Sequence, residues 1–307
     1  MEFGSAADAA RALLAETAGY GGTLVAFSGG VDSSVVVAAA ARALGTDGMA
    51  AVTAVSPALP TAELAAARRF CDGLGVTHHL VDTRELDVAG YRDNGPQRCF
   101  FCKSTLLDAA LDVASRLGFG CVATGTNATD VVDRFRPGIA AAARRGARTP
   151  LADAGLGKAA VRDVARLWSL PTWDKPAMAC LSSRIAYGLQ ITPGRLARVE
   201  RAEVLVRETL GQDPLVRRAL GRESLAGDAQ AVQAAAPGAA PQVPAPHPDR
   251  TDVRVRDLGE AVRIEVDPRI AADPAAHPPL VDAVRLAGFA HVPVTVEVFR
   301  SGSMNTP

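Results

Sequence analysis

The chain has 307 residues, and its 33 lysines and arginines balance its 33 aspartates and glutamates. This balance argues against a general nucleic-acid coat protein, because a surface that neutralises phosphate backbones over a long footprint needs a clear excess of clustered cations. With 48% hydrophobic and 21% charged residues, the composition is that of a globular protein of one large or two ordinary domains. No run approaches the roughly 18 apolar residues of a membrane helix, and no basic segment leads into an apolar stretch near residue 1. We therefore expect a cytoplasmic protein that binds neither membrane nor nucleic acid.

The first half of the chain alternates between short apolar runs and helix-forming stretches. Strands that alternate with helices of this length predict parallel βαβ units, whose ligands bind at the carboxyl ends of the strands. We therefore expect an α/β fold with a doubly wound parallel sheet. The predicted order is helix 6–19, strand 23–27, helix 35–44, strand 49–55, helix 61–74, strand 76–81, helix 104–117 and strand 121–124.

Beyond residue 190 the pattern changes to one long helix and a few late strands. The segment 221–250 contains five prolines among Ala, Gly and Gln, cannot bury a core, and is expected to be a mobile insertion. We expect a smaller α+β domain over 176–307, following a nucleotide-binding domain over 1–175. Its predicted elements are helix 193–210 and strands 253–255, 261–266 and 292–299.

A glycine-rich segment, Ser28-Gly-Gly-Val-Asp-Ser-Ser34, stands between the first predicted strand and the helix that follows. Its glycines allow a tight turn that brings backbone N–H groups to a ligand, and the helix points its positive end at the same place. It resembles the SGGxDS loop of the PP-loop family, whose members adenylate an oxygen with ATP and release pyrophosphate. Asp32 is suited to hold the Mg²⁺ that bridges phosphate oxygens. The residues expected to contact ATP or pyrophosphate are Ser28, Gly29, Gly30, Asp32, Ser33 and Ser34.

Five cysteines are too few for a disulfide scaffold, so reduced thiols are expected. The spacing of Cys99-Phe-Phe-Cys102 allows the two thiols to bind one metal or to form one disulfide. The motif by itself does not decide between these two interpretations. Cys180 is the candidate for a third thiol, because Lys175 and Arg184 flank it and favour a reactive thiolate. Two further cysteines lie within apolar elements and are expected to be buried and structural, namely Cys71 and Cys121.

Seven motifs together resemble those of the LarE family over nearly the whole chain. The resemblance implies a PP-loop ATP pyrophosphatase fold. It also implies a sulfur transferase that helps to make the nickel-pincer nucleotide, which is the cofactor of lactate racemase. ATP would adenylate a carboxylate of pyridinium-3,5-biscarboxylic acid mononucleotide, and sulfur from the protein would displace AMP. Two rounds would give the bisthiocarboxylate, and the assembly would be a homohexamer. The motifs are residues 27–34, 98–103, 125–127, 136–138, 150–156, 170–188 and 300–305.

The same resemblance assigns roles to individual residues. In one type of member, the cysteine that maps to Cys180 gives up its own sulfur. In the other type, three cysteines hold a [4Fe-4S] cluster that carries an additional sulfide, and the presence of Cys99 and Cys102 fits this type. The remaining implied roles are ATP binding by Asn127, metal binding by Glu203, and substrate-phosphate binding by Arg254 and Arg256, with Ser183 and Arg184 as further anion contacts. Glu200 lies three positions from Glu203 on the predicted helix, so the pattern alone does not separate them.

Three alternatives remain open at the level of sequence. A PP-loop tRNA thiolase would also use ATP and cysteines, but it would be expected to carry a basic face, which a neutral chain does not favour. An amidotransferase-type synthetase needs no such cysteines. A non-catalytic ATP sensor or iron–sulfur carrier would bind ATP without releasing pyrophosphate. The sulfide donor is not identified by any of these features.

Overall fold

The structure is a computed structural model that describes residues 3–132, 137–176, 179–220 and 252–300. These residues form two compact units, the second of which begins at Ala179. No helix in the described ranges is long and apolar enough to cross a membrane. Some predicted features fall outside the described residues, namely the 221–250 insertion, Arg136 of the 136–138 motif, residues 177–178, and residues 301–305 of the last motif.

A four-stranded parallel sheet forms the centre of the first unit. Its strands are β1 (Thr23–Ala26), β2 (Met49–Val55), β3 (His78–Asp82) and β4 (Cys121–Ala123), in the spatial order β3-β2-β1-β4. β1 is central and fully buried. Because all four strands run in parallel, the segments that follow β1 and β4 emerge side by side at one edge. The predicted α/β fold with a parallel sheet is confirmed.

Helices flank this sheet, and the one that follows β1 is the most deeply buried. In α2, the side chains of residues 35–40 are all at 0% exposure, and the helix packs against both α1 and α9. The nine helices described in this unit are α1 (Ala6–Ala18), α2 (Val31–Leu44), α3 (Thr61–Leu74), α4 (Ala89–Arg92), α5 (Arg98–Leu117), α6 (Ala128–Val131), α7 (Pro137–Arg144), α8 (Pro150–Asp153) and α9 (Lys158–Leu167).

Two helices begin earlier than the sequence predicts. α2 begins at Val31 rather than at residue 35, because Gly30 is extended and the polar residues after it form the first helical turn. α5 begins at Arg98 rather than at residue 104, so Cys99 and Cys102 lie on a helix. Neither segment has the apolar periodicity by which a helix is recognised, which explains both errors.

The second unit combines a small sheet with a long helix. β5 (Arg254–Asp257) is antiparallel to β6 (Val262–Val266), which is parallel to β7 (Val294–Val298). The three strands are those predicted, with ends shifted by one or two residues. Its helices are α10 (Pro193–Gln212), α11 (Pro214–Ala219), α12 (Pro268–Ala271) and α13 (His277–Leu286), and α10 packs on both β5 and α13.

Candidate functional site

The segment after β1 is a tight loop that is held together by its own serines. The hydroxyls of Ser33 and Ser34 donate to the carbonyl oxygen of Gly30 at 3.1 and 2.9 Å. The Ser33 Oγ also lies 3.1 Å from the Ser28 Oγ. The loop therefore places the N-terminus of α2 at the carboxyl end of β1, and a helix N-terminus favours the binding of phosphate. We call residues 28–34 the phosphate loop.

Two glycines are required by the shape of the phosphate loop and its neighbour. Gly29 has φ +75°, in the left-handed region that favours glycine. Gly125, which follows β4, packs directly on the start of α2, because a Cβ there would lie 2.7 Å from the Ser33 backbone nitrogen. The segments after β1 and β4 are thus in backbone contact, and only glycine permits this approach.

Asp32 and Asn127 come together at this point. The Asn127 Nδ2 donates to the Asp32 Oδ1 at 2.9 Å, while its Oδ1 accepts from the Asp130 N–H at 3.0 Å and caps α6. Burial raises the pKa of Asp32 above its ordinary value, and the negative charge of Asp130 adds to this, against the lowering effect of the Asn127 hydrogen bond. A half-buried carboxylate with this pKa gains stability from a cation. These oxygen groups therefore fit a magnesium ion, which would be held by Asp32.

Lys175 is a neighbour of the phosphate loop that the sequence analysis missed. Its Nζ donates to the Gly29 carbonyl oxygen at 2.8 Å and forms an ion pair with Glu63, and only 12% of its side chain is exposed. In the sequence Lys175 lies only five positions from Cys180, whereas its contact with Gly29 spans 146 positions. No local pattern signals such a pairing.

The two cysteines of the C-x-x-C motif lie one turn apart at the start of α5. Cys99 is exposed and Cys102 is half-buried. A helix N-terminus stabilises thiolates, so their position favours metal binding or redox chemistry. Among the described residues, no group of three His, Cys, Asp or Glu side chains is arranged to hold a metal. In contrast, Cys71 is fully buried, and this burial raises its pKa to about 12.

In the second unit, Arg184 organises the backbone around Cys180. A 3₁₀ turn, Leu181–Arg184, begins directly after Cys180. The Arg184 Nη1 donates to the Ala179 and Cys180 carbonyl oxygens at 2.6 and 3.2 Å, and to the Ser183 Oγ at 3.0 Å. Its side chain is almost fully buried. The thiol-bearing residue therefore lies on a backbone turn that one guanidinium fixes, and the predicted effect of Arg184 on the thiol itself remains a prediction.

Glu203 is the acidic partner of this guanidinium. Its Oε1 accepts from the Arg184 Nε at 2.8 Å and from the Val255 N–H at 3.2 Å, and its Oε2 accepts from Arg207 at 2.9 Å. Burial alone would raise its pKa, but Arg184 and the other nearby guanidiniums hold the pKa of Glu203 below its ordinary value. Glu203 is buried whereas Glu200 is half-buried. The structure thus groups Glu203 with the predicted anion-binding arginines.

Arg254 and Arg256 both lie on β5, and both are buried. Arg256 donates to the Glu265 Oε2 from two nitrogens, at 3.1 and 2.8 Å, and to the Ser183 carbonyl oxygen at 2.9 Å. Burial and the positive charge of Arg184 lower the pKa of Arg254. A guanidinium that lies close to another positive charge is suited to an anion. We call Arg184, Arg254 and Arg256, with Glu203 and Glu265, the arginine cluster.

Comparison with known proteins agrees with this geometry. The family described as asparagine synthase matches residues 21–97, which include the phosphate loop. The uncharacterised protein slr1717 of Synechocystis is 46% identical over 184 residues, which is 60% of this chain and 68% of that protein. The pyridinium-3,5-bisthiocarboxylic acid mononucleotide synthase of Lactiplantibacillus plantarum is 33% identical over 183 residues, 60% of this chain and 66% of that protein.

The chain belongs to the LarE family. That family comprises ATP-dependent adenylating sulfur transferases of the PP-loop type, so the chain is an ATP-using enzyme. A shorter match reaches the argininosuccinate synthase of Halobacterium salinarum, with 36% identity over 114 residues, 34% of this chain and 28% of that protein. The LarE-type match extends further along the chain than this one does.

Proposed function

We propose that this protein uses ATP to convert the carboxylates of pyridinium-3,5-biscarboxylic acid mononucleotide into thiocarboxylates for the nickel-pincer nucleotide. The observation that carries the proposal is the Asp32–Asn127 pair beside a serine-bonded phosphate loop, an arrangement suited to magnesium-bound ATP. The substrate is proposed from the activity for which the Lactiplantibacillus plantarum relative is named. The small-molecule partner is consistent with the neutral charge of the chain.

In the first step, a carboxylate oxygen of the substrate forms a bond to the α-phosphorus of ATP. The bond from that phosphorus to the β-phosphate oxygen breaks, and pyrophosphate leaves with the electron pair. The hydroxyls of Ser28 and Ser33 and the N–H groups at the start of α2 orient the leaving phosphates. When bound, magnesium neutralises charge on the phosphate oxygens, and Asp32 is the residue placed to hold it. The product is an acyl adenylate, in which AMP is a good leaving group.

The arginine cluster supports the binding of the substrate's own phosphate. Its three buried guanidiniums exceed its two buried carboxylates by one positive charge. The substrate phosphate would replace a cluster carboxylate as the partner of one guanidinium. A planar guanidinium favours the formation of two parallel hydrogen bonds to a phosphate. Cys180 lies on the backbone that Arg184 fixes, so we propose that substrate phosphate is bound close to the thiol.

In the second step, a sulfur nucleophile forms a bond to the activated carbonyl carbon, and AMP leaves with the electrons of the C–O bond. We propose that Cys99, Cys102 and Cys180 hold a [4Fe-4S] cluster. Two features support this: the paired thiols at a helix N-terminus, and the third half-buried thiol. When bound, a cluster with three thiolate ligands leaves one iron open to carry an exogenous sulfide. The alternative is that Cys180 loses its own sulfur by Cβ–S cleavage with loss of the α-proton, leaving dehydroalanine.

The test is pyrophosphate release by the full chain with magnesium-bound ATP, with and without the pyridinium substrate. We expect release that depends on the substrate, and loss of this release in Asp32→Ala. Cys180→Ala is expected to release pyrophosphate normally but to form no thiocarboxylate. If tRNA replaced the pyridinium mononucleotide as the activator, the tRNA thiolase would be the correct assignment, and release of no pyrophosphate would indicate a nucleotide sensor.

A second measurement separates the two sulfur sources. Protein purified without oxygen is assayed for iron and acid-labile sulfide, and Cys99→Ala is compared with Cys71→Ala as a matched control. We expect iron and sulfide at cluster stoichiometry in the wild type and in Cys71→Ala, and their loss in Cys99→Ala. Absence of iron after reconstitution, with Cys180 found as dehydroalanine after turnover, would favour the sacrificial route.

A further inference from the structure

We propose that Lys175 is a catalytic residue that contacts the β- and γ-phosphates of ATP, and that Glu63 competes with those phosphates for its amine. The inference rests on the proposed ATP-dependent adenylation. The ammonium group already lies at the phosphate loop, where it donates to the Gly29 carbonyl oxygen at 2.8 Å and pairs with Glu63. The phosphates would replace the Glu63 carboxylate as its anionic partner.

Hydrogen bonds hold the backbone around Lys175 in place, so the Lys175 side chain extends from a fixed position. Arg162 on α9 donates to the carbonyl oxygens of Trp173 and Lys175, each at 2.8 Å. The Lys175 N–H donates to the Thr172 carbonyl oxygen at 3.0 Å. Motion of the amine between a carboxylate and a phosphate therefore requires only rotation of a flexible four-carbon side chain.

The phosphate loop itself provides no cation. Its N–H groups and hydroxyls are neutral donors, and its charged residue, Asp32, is an anion. The leaving pyrophosphate accumulates negative charge as the bond to the α-phosphorus breaks, and a fixed ammonium group stabilises that charge without any transfer of a proton. Lys175 is a cation that the described residues place in direct contact with the loop.

The composition of the chain makes this lysine distinctive. Only three of the 33 basic residues are lysines, and the other 30 are arginines. One of the three, Lys158, pairs with Asp130, whose N–H donates to the Asn127 Oδ1. The ammonium group lies beside Gly29, where a Cβ on the glycine would be in ordinary contact with the Lys175 Nζ at 3.8 Å.

A structural role and a catalytic role for the Lys175–Glu63 pair predict different results. If the pair served only to hold α3 against the loop, removal of either charge would destabilise the fold and would weaken phosphate binding equally. If Glu63 competes with phosphate, the two removals act with opposite sign. Lys175→Met then weakens phosphate binding, whereas Glu63→Gln leaves the amine available and strengthens it.

The experiment measures the affinity of the full chain for magnesium pyrophosphate, ATP and AMP by calorimetry. For Lys175→Met we expect pyrophosphate and ATP to bind at least about tenfold more weakly, with AMP unchanged, and kcat for pyrophosphate release to fall on the order of 100-fold. For Glu63→Gln we expect pyrophosphate to bind about two- to fivefold more tightly. Arg145→Met, which removes a cation from an ion pair with Asp108 in the same unit, is the matched control and should change none of these values.

Four results other than the expected one also have a clear meaning. Equal pyrophosphate affinity in Lys175→Met and wild type overturns the inference and leaves the proposed function intact. Weaker binding in both variants overturns it as well, in favour of the structural role. A wild-type protein that neither binds nor releases pyrophosphate contradicts the proposed function itself, and the inference with it. If Lys175→Met fails to fold, tighter binding in Glu63→Gln supports the inference and weaker or unchanged binding overturns it.

Discussion

Arg184 and Glu203 form an ion pair with both side chains buried, joined by a 2.8 Å bond from Nε to Oε1. The same guanidinium donates to the Cys180 carbonyl oxygen, and the same carboxylate accepts from the β5 backbone at Val255. One pair thus connects the thiol-bearing turn, α10 and the strand that carries the predicted phosphate ligands. Its integrity governs both the stability of the second unit and the position of Cys180.

The first prediction concerns the pH dependence of this pair. Since the folded pKa of Glu203 is below its ordinary value of 4.5, its ionised form stabilises the folded state at higher pH. That stabilisation should be fully present above about pH 5 and should be lost as the pH falls through the lowered pKa. Glu203→Gln is expected to lower the free energy of unfolding by about 3–5 kcal/mol at pH 7, and by progressively less at lower pH.

Urea denaturation between pH 7 and pH 3.5 checks this prediction, with Glu208→Gln, an exposed position on the same helix, as the control. The control should change the free energy of unfolding by less than about 0.5 kcal/mol at every pH. A Glu203→Gln effect that was constant with pH would contradict the proposed ionised state of Glu203.

The sequence predicted those features that depend on local pattern. The alternating elements of the first unit, the phosphate loop and the shared strand of Arg254 and Arg256 each follow from residues close together in the chain. The start of α5 was predicted too late, because Cys99 and Cys102 interrupt any apolar periodicity. Helix ends that are set by polar residues are the hardest boundaries to predict from a sequence, because polar residues add nothing to the apolar pattern.

The partners of the site residues were not predictable, because they depend on tertiary register. Lys175 meets Gly29 across 146 positions, and Arg256 meets Glu265 only through the pairing of β5 with β6. Nothing in the sequence distinguishes Glu265 from any other strand glutamate. Burial of these charges is likewise a property of packing, which hydropathy does not report.

Replacement of Asp32 by asparagine should stabilise the protein while inactivating it. Burial raises the folded pKa of Asp32, so its ionised form is disfavoured in the folded state and stability rises as the pH falls through that pKa. Asp32→Asn removes this cost and retains a partner for Asn127. We expect an increase of about 0.5–2 kcal/mol in the free energy of unfolding at pH 7 and loss of pyrophosphate release. A destabilised variant would mean that the Asp32 carboxylate stabilises the apoprotein.

Gly125→Ala should disturb the phosphate loop through sterics alone. The new Cβ would lie 2.7 Å from the Ser33 nitrogen and 3.0 Å from the Ser33 Cα, so the start of α2 must move. We expect a loss of about 1–3 kcal/mol in stability, with weaker binding of ATP in a calorimetric titration. Gly120→Ala, where no atom lies within 4 Å of a new Cβ, is the control. Equal effects of the two substitutions would refute the close contact.

The last prediction separates the structural role of Arg256 from its proposed role in binding substrate phosphate. Arg256→Met removes both of the hydrogen bonds that Arg256 donates to the Oε2 of the buried Glu265 carboxylate, so the free energy of unfolding should fall by about 3–5 kcal/mol. In the double variant Arg256→Met, Glu265→Met, both charges of this buried pair are removed together, and most of that stability should return.

Steady-state kinetics on the double variant then report the function of the guanidinium. We expect KM for the pyridinium mononucleotide to rise at least about tenfold, since a charge-assisted contact is worth roughly 1.5–3 kcal/mol, while KM for ATP is unchanged. A stable double variant with wild-type KM for both substrates would show that Arg256 serves β5–β6 pairing alone. In that case Arg184 and Arg254 would be the remaining candidates for the phosphate.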